Sequence, residues 1–200
     1  MNSPGLYIRG FENYAVAEAT LLPEASLHEA AQRLILYFNH FEPSPQMSVT
    51  DTTGRQFDLY HDYEIIHLDD VRELFDINSI LQAAALLLVA GLAAASHALG
   101  HSQRIWIALR NGAIVTLALL VLSSLAFFAD FDWMFVAFHL VAFDNPFWQL
   151  NPYTDYLVML FPLGFWQDMM LMAGAAIGAM AGCTCAFSYA CLRKAHRQIT

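Results

Sequence analysis

Two histidines stand out for the residues around them. His67 lies in YEIIHLDDVRELF (residues 63–75), with Glu64 three positions before it and Asp70 three after. On a helix that spacing puts the three side chains on one face. A carboxylate one turn from an imidazole can fix its tautomer and raise its basicity. The bland alternative is a solvated acidic helix that happens to carry a histidine. His139 lies in a second stretch, DFDWMFVAFHLVAFDNPFWQLNPYTDYLVMLFPLGFWQD (residues 130–168). There, His139, Asp144, Asn145, Asn151 and Asp155 are set among Trp133, Trp148, Trp166 and many phenylalanines. Polar groups beside hydrocarbon are costly unless partnered or used. They read either as a hydrogen-bonded network bracing a loop or as a reaction site at lipid headgroup depth. Asn145-Pro146 and Asn151-Pro152 are also ordinary turn formers.

The other candidates carry less. His97 and His101 are four apart, a metal-compatible spacing, but no third ligand is nearby, and contact with a helix C-terminus explains them better. His28, His40, His61 and His196 read as surface residues. Cys183, Cys185 and Cys191 all fall in the last apolar run, where cysteine behaves as a small hydrophobe, so no disulfide and no metal site is expected. The sequence holds no P-loop and no dinucleotide fingerprint, and no cofactor is expected. A net charge of −9 argues against a nucleic-acid partner.

These residues need elements to position them, and the composition says which. Of 200 residues 58% are hydrophobic and only 14% charged, where a soluble domain carries about 25% charged residues. The apolar residues gather after position 76 in runs long enough to cross a bilayer. Three spans are expected: 77–99, 112–129 (with a possible start near Ile105) and 169–192, the last with Gly174, Gly178 and Gly182 at a spacing suited to close helix packing. Every basic residue after position 76 lies in the 100–111 loop (Arg104, Arg110) or the 193–200 tail (Arg193, Lys194, Arg197), which places those segments in the cytoplasm. The 130–168 segment has five Asp and no Lys or Arg, and residues 1–76 hold thirteen acidic residues against four Arg. Both are therefore expected outside, with His67 and His139 on the extracytoplasmic side. Export of a 76-residue leading region favours a further helix upstream of Met1. Within residues 1–76, Ser26 and Glu29 are spaced as a capping box for a helix running to about Phe41. Met47–Thr50 and Gln56–Tyr60 around Asp51-Thr52-Thr53-Gly54 read as a hairpin. The expected fold is mainly α, a polytopic membrane helical bundle with a small extracytoplasmic α/β cap.

The two segments together are familiar. E-I-I-H-L-D-D-V at 64–71, then F-H-L-V-A-F-D-N-P-F-W-Q-L-N-P-Y-T-D-Y-L at 138–157 and F-P at 161–162, resemble a bacterial integral membrane family that includes the lipoprotein intramolecular transacylase. The resemblance implies four membrane helices with an extracytoplasmic cap in the bacterial cell (inner) membrane. It implies an activity that moves the sn-2 acyl chain of a diacylglyceryl lipoprotein onto the α-amine of its N-terminal cysteine, giving a lyso-form lipoprotein. The partners are then that lipoprotein and membrane lipids, and the family's two functional histidines fall on His67 and His139.

The chemistry suits these residue types. An amine attacking an ester gains from a base that takes its proton, and histidine has a suitable pKa. His139 is the preferred base, with His67, oriented by Glu64 or Asp70, as second proton carrier or oxyanion stabiliser. Asn145 and Trp148 are expected to shape the site and Asp155 to orient a histidine. Two alternatives stay open: a metal-dependent membrane hydrolase using the same histidines, and a non-enzymatic membrane module whose outer loops bind a partner.

Overall fold

The structure, a computed structural model, describes residues 3–197, with side chains through residue 194. The order of elements is α1 (Pro4–Asn13), α2 (Val16–Thr20), α3 (Glu24–Phe38), β1 (Ser48–Thr50), β2 (Gln56–Asp58), α4 (Asp62–Ala98), α5 (Ser102–Ala129), α6 (Phe131–Ala142), α7 (Tyr156–Leu160) and α8 (Leu163–Arg197). Contacts divide the chain into two units, residues 1–77 with 138–168 and residues 78–137 with 169–200.

In the first unit, α3 buries Leu27, Ala30, Ala31, Leu34 and Tyr37, a helical stripe. It starts earlier than the capping-box spacing suggests. The Pro23 carbonyl accepts the N–H groups of Ser26 and Leu27, so Ser26 lies inside the helix and makes no cap bond. It also ends before Phe41: His40 adopts a left-handed φ of 62°, and Asn39 bonds back to the Ile35 carbonyl. The hairpin forms as read, antiparallel with Val49 opposite Phe57. Its turn is held by Asp51, whose Oδ1 accepts the N–H groups of Thr53 and Arg55. The core is aromatic: Phe161 packs on Tyr7 (5.6 Å), Phe11 (5.7 Å) and Phe165 (5.1 Å). Gly10 permits this, because a Cβ there would fall 2.5 Å from the Phe165 ring. Phe161 of the F-P motif is thus a core residue.

The second unit holds the apolar parts of α4, α5 and α8. All three helices are long and apolar enough to cross a membrane. Leu86, Leu87, Leu119 and Leu122 project outward on them, a surface that suits hydrocarbon and not water. Gly178 and Gly174 meet Leu120 of α5, at 3.2 and 3.6 Å from where a Cβ would stand, whereas Gly182 meets nothing within 4 Å among the described residues. The expected close packing is therefore local to one turn and a half of α8. The chain is a mainly α, membrane-integral bundle with a small two-stranded sheet.

In the apolar half and the second motif the helices also differ from the sequence reading. The second apolar helix begins at Ser102, so residues 102–111 are helix and only a tight turn separates it from α4. The last begins at Leu163, six residues before 169. Residues 130–168, read as loop, contain α6 and α7. The α6 helix is apolar on nearly every side and too short to span, so no 3.6-residue stripe marks it.

Candidate active site

The segment carrying Glu64, His67 and Asp70 forms the first four turns of α4, ahead of the apolar stretch that begins at Ile77. His139 lies near the end of α6. The first unit brings the two histidines together with ring centroids 6.0 Å apart, and both are buried at 7% exposure. Phe143, one turn after His139, lies against both rings, edge-on to His67 at 4.9 Å and tilted to His139 at 5.5 Å. Trp148 lies against His139 at 5.0 Å, tilted 35°.

The Nδ1 atom of His67 is buried and has no hydrogen-bond partner among the described residues. A buried polar atom left unpaired costs about 1–3 kcal/mol, so its retention calls for a chemical reason. Burial, reinforced by the nearby His139 and opposed by the Asp70 carboxylate, pushes the His67 imidazole down to about 4. The ring is therefore neutral at pH 7, with a free lone pair on one of its nitrogens. A stability effect follows. The native ring resists protonation where the unfolded one, with a pKa of 6.5, accepts it. The contribution is complete above pH 6.5 and is lost as pH falls from 6.5 toward 4, by about 3 kcal/mol in total. Unfolding in detergent at pH 7.5 and 4.5 should show this loss in the parent and a smaller one in His67→Phe; equal slopes would mean that His67 titrates normally.

The supporting residues fall into two groups. Asp70 accepts a hydrogen bond from Asn145 Nδ2 at 2.8 Å, tying the two motif segments together beside the histidines. The Asn145 Oδ1 accepts the Phe147 N–H, forming the turn that presents Trp148. These three stand with the histidine pair. Glu64 does not act as the sequence suggested. Fully buried, it accepts the His61 N–H (2.7 Å), His61 Nδ1 (2.8 Å) and, from the second motif, the Leu157 N–H (2.7 Å). Its carboxylate thus caps the N-termini of α4 and α7 at once. Burial pushes its carboxyl up, against the pull of those bonds. Asp155 is also turned elsewhere. It accepts bonds from Tyr63 Oη (2.7 Å), the Asn151 N–H (2.7 Å) and Thr154 Oγ1 (2.8 Å), and its neighbouring histidine is His61, 3.8 Å away. Burial raises its carboxyl, but these bonds outweigh it and leave it below the usual carboxylate range.

Phe143, Tyr63 and His61 were missed in the sequence. His61 is half-exposed, as a surface residue should be, yet it belongs to the Glu64 network. Its position three before Glu64 is the cap-to-N3 spacing that could have found it. Phe143, four after His139, shares its helical face. Asp144 lies exposed beside this cluster. The His97 ring nitrogen contacts Ser102 Oγ at 3.3 Å, consistent with a helix-end residue.

A search of curated proteins finds no match. Among solved structures, the membrane-integral lipoprotein intramolecular transacylase Lit from Bacillus cereus aligns over 100% of this chain and 86% of that one, at 17% identity and a TM-score of 0.73. Two variants of the same protein, one with a histidine changed to arginine and one with it changed to alanine, align over 98% of this chain with TM-scores of 0.71 and 0.63, again at 17% identity. They cover 82% and 83% of those chains. At that identity the likeness speaks to the fold. The family model described as lipoprotein intramolecular transacylase Lit matches residues 1–166, which include both histidine motifs, and the chain accordingly belongs to the lipoprotein intramolecular transacylase family.

Proposed function

We propose that this transacylase works through His67 and His139, moving the sn-2 acyl chain of a diacylglyceryl lipoprotein to the α-amine of its N-terminal cysteine. The observation that carries the reading is the unpartnered, buried Nδ1 of His67 beside the His139 ring. A reacting atom between two imidazoles at this separation is within reach of both.

The steps balance without a co-substrate. The amine nitrogen attacks the ester carbonyl carbon, a C–N bond forms, and the carbonyl oxygen takes negative charge. One imidazole takes the N–H proton. As the tetrahedral centre collapses, the C–O bond to glycerol breaks and the imidazolium returns the proton to the leaving alkoxide. An ester becomes an amide, and the glycerol keeps a free hydroxyl. The free amine has a pKa near 8 and is mostly protonated at pH 7, so a positioned base matters. Amine and ester belong to one molecule, so orientation can contribute roughly 7–11 kcal/mol more in well-aligned cases.

The site faces the extracytoplasmic side of the bacterial cell membrane in this reading, with residues 1–76 and 130–168 outside. The support is the segregation of Arg104, Arg110, Arg193, Lys194 and Arg197 from the acidic segments. The test is mass spectrometry of an N-terminal lipopeptide from a lipoprotein co-expressed with this chain in cells lacking other N-acylating activity. One acyl chain should move from glycerol to the amine. A lipopeptide that remains diacylglyceryl with a free amine, despite confirmed membrane insertion of the chain, would refute the assignment.

A further inference from the structure

We infer that the Trp148 indole steadies His139 as an imidazolium, so that His139 takes the amine proton while His67 stays neutral. The inference rests on the proposed transacylase reading and assigns unequal roles within the pair.

The two rings have different aromatic surroundings. His139 lies against Trp148 with centroids 5.0 Å apart and the planes tilted by 35°. It is also tilted by 42° on Phe143 at 5.5 Å. A cation within about 6 Å of an aromatic face is attracted to it, most strongly by tryptophan. His67 meets Phe143 at 74°, an edge-to-face contact. His67 faces His139, and the Asp70 carboxylate, one turn further along α4, acts on His67 and is bonded to Asn145 of the turn that carries Trp148. A proton placed on this pair therefore finds its better aromatic support at His139.

The indole is held for this task. Asn145 Oδ1 accepts the Phe147 N–H at 3.1 Å, the Pro146 carbonyl accepts the Gln149 N–H at 3.0 Å, and Asn145 Nδ2 pins the turn to Asp70. During turnover the amine N–H proton passes to His139 beside the indole and from there to the departing glycerol oxygen. No charge is left behind. Trp148 is a positioning residue here, because it acts through His139.

The test compares the full chain with Trp148→Phe and Trp148→Leu in one detergent. It follows His139 by nitrogen NMR of ring-labelled histidine and measures initial rates on a diacylglyceryl lipopeptide. The leucine variant should lower the His139 titration midpoint by roughly 0.4–1.5 pH units and slow turnover about two- to thirty-fold, with phenylalanine restoring most of both. If the leucine variant melts earlier, Trp148→Met supplies similar bulk without a ring face. An unmoved His139 midpoint, or a shift confined to His67, overturns the inference even if the rate falls. Full turnover by His139→Ala would instead sink the underlying site assignment, an outcome distinct from any result at Trp148.

Discussion

His139→Ala is expected to lower transacylation by roughly 10²–10⁴-fold, the contribution of a positioned general base. His67→Ala should fall within the same range, and the double variant should be no slower than the worse single one. The reason for non-additivity is geometric. The two rings lie with centroids 6.0 Å apart, share Phe143, and in the proposed reaction act on the same amine and ester. Groups that act as a unit lose most of their effect when either member is removed. What remains should be the rate due to holding amine and ester in one oriented molecule. Initial rates on a diacylglyceryl lipopeptide, with melting temperatures beside them, measure all three variants. A single variant with parental activity would remove that histidine from the chemistry. Losses that multiply in the double variant would mean that the rings act in separate steps.

The legible parts of this chain were those whose physics is local. Glu64, His67 and Asp70 recur at helical spacing, and they do share the opening turns of α4. The hairpin was visible because Asp51 to Gly54 form a turn between two short β-prone runs. The three apolar helices announced themselves by composition. The illegible parts depend on tertiary partners or lack a periodic signal. α1 buries only Tyr7, Gly10 and Phe11, too few apolar positions to stand out. The bonding of Glu64 could not be read from its spacing to His67, because its decisive donor, the Leu157 N–H, lies 93 residues away. Which histidine Asp155 lies beside depends on tertiary partners in the same way: the turn at Asn151-Pro152 directs it to Tyr63 and His61, not to the His67–His139 pair.

That long-range bond sets up the second large effect. Glu64→Ala should destabilise the protein by about 1–3 kcal/mol or somewhat more, because it leaves the buried N–H of Leu157 without its acceptor and also removes the acceptor of the part-buried His61 N–H. Glu64→Gln should cost less. Its amide keeps one acceptor oxygen, but its nitrogen must face one of the two N–H donors. The damage should appear first at the joint, as faster hydrogen exchange or proteolysis around residues 151–157, with activity falling as α4 and the second motif lose register. Exchange and melting measurements on both variants distinguish this clamp from an orienting role at His67. A carboxylate that fixed the His67 tautomer would shift the His67 titration when exchanged for an amide. A clamp leaves that titration in place in Glu64→Gln while the Leu157 amide opens. A shifted His67 with a protected Leu157 would restore the orienting role and refute the clamp.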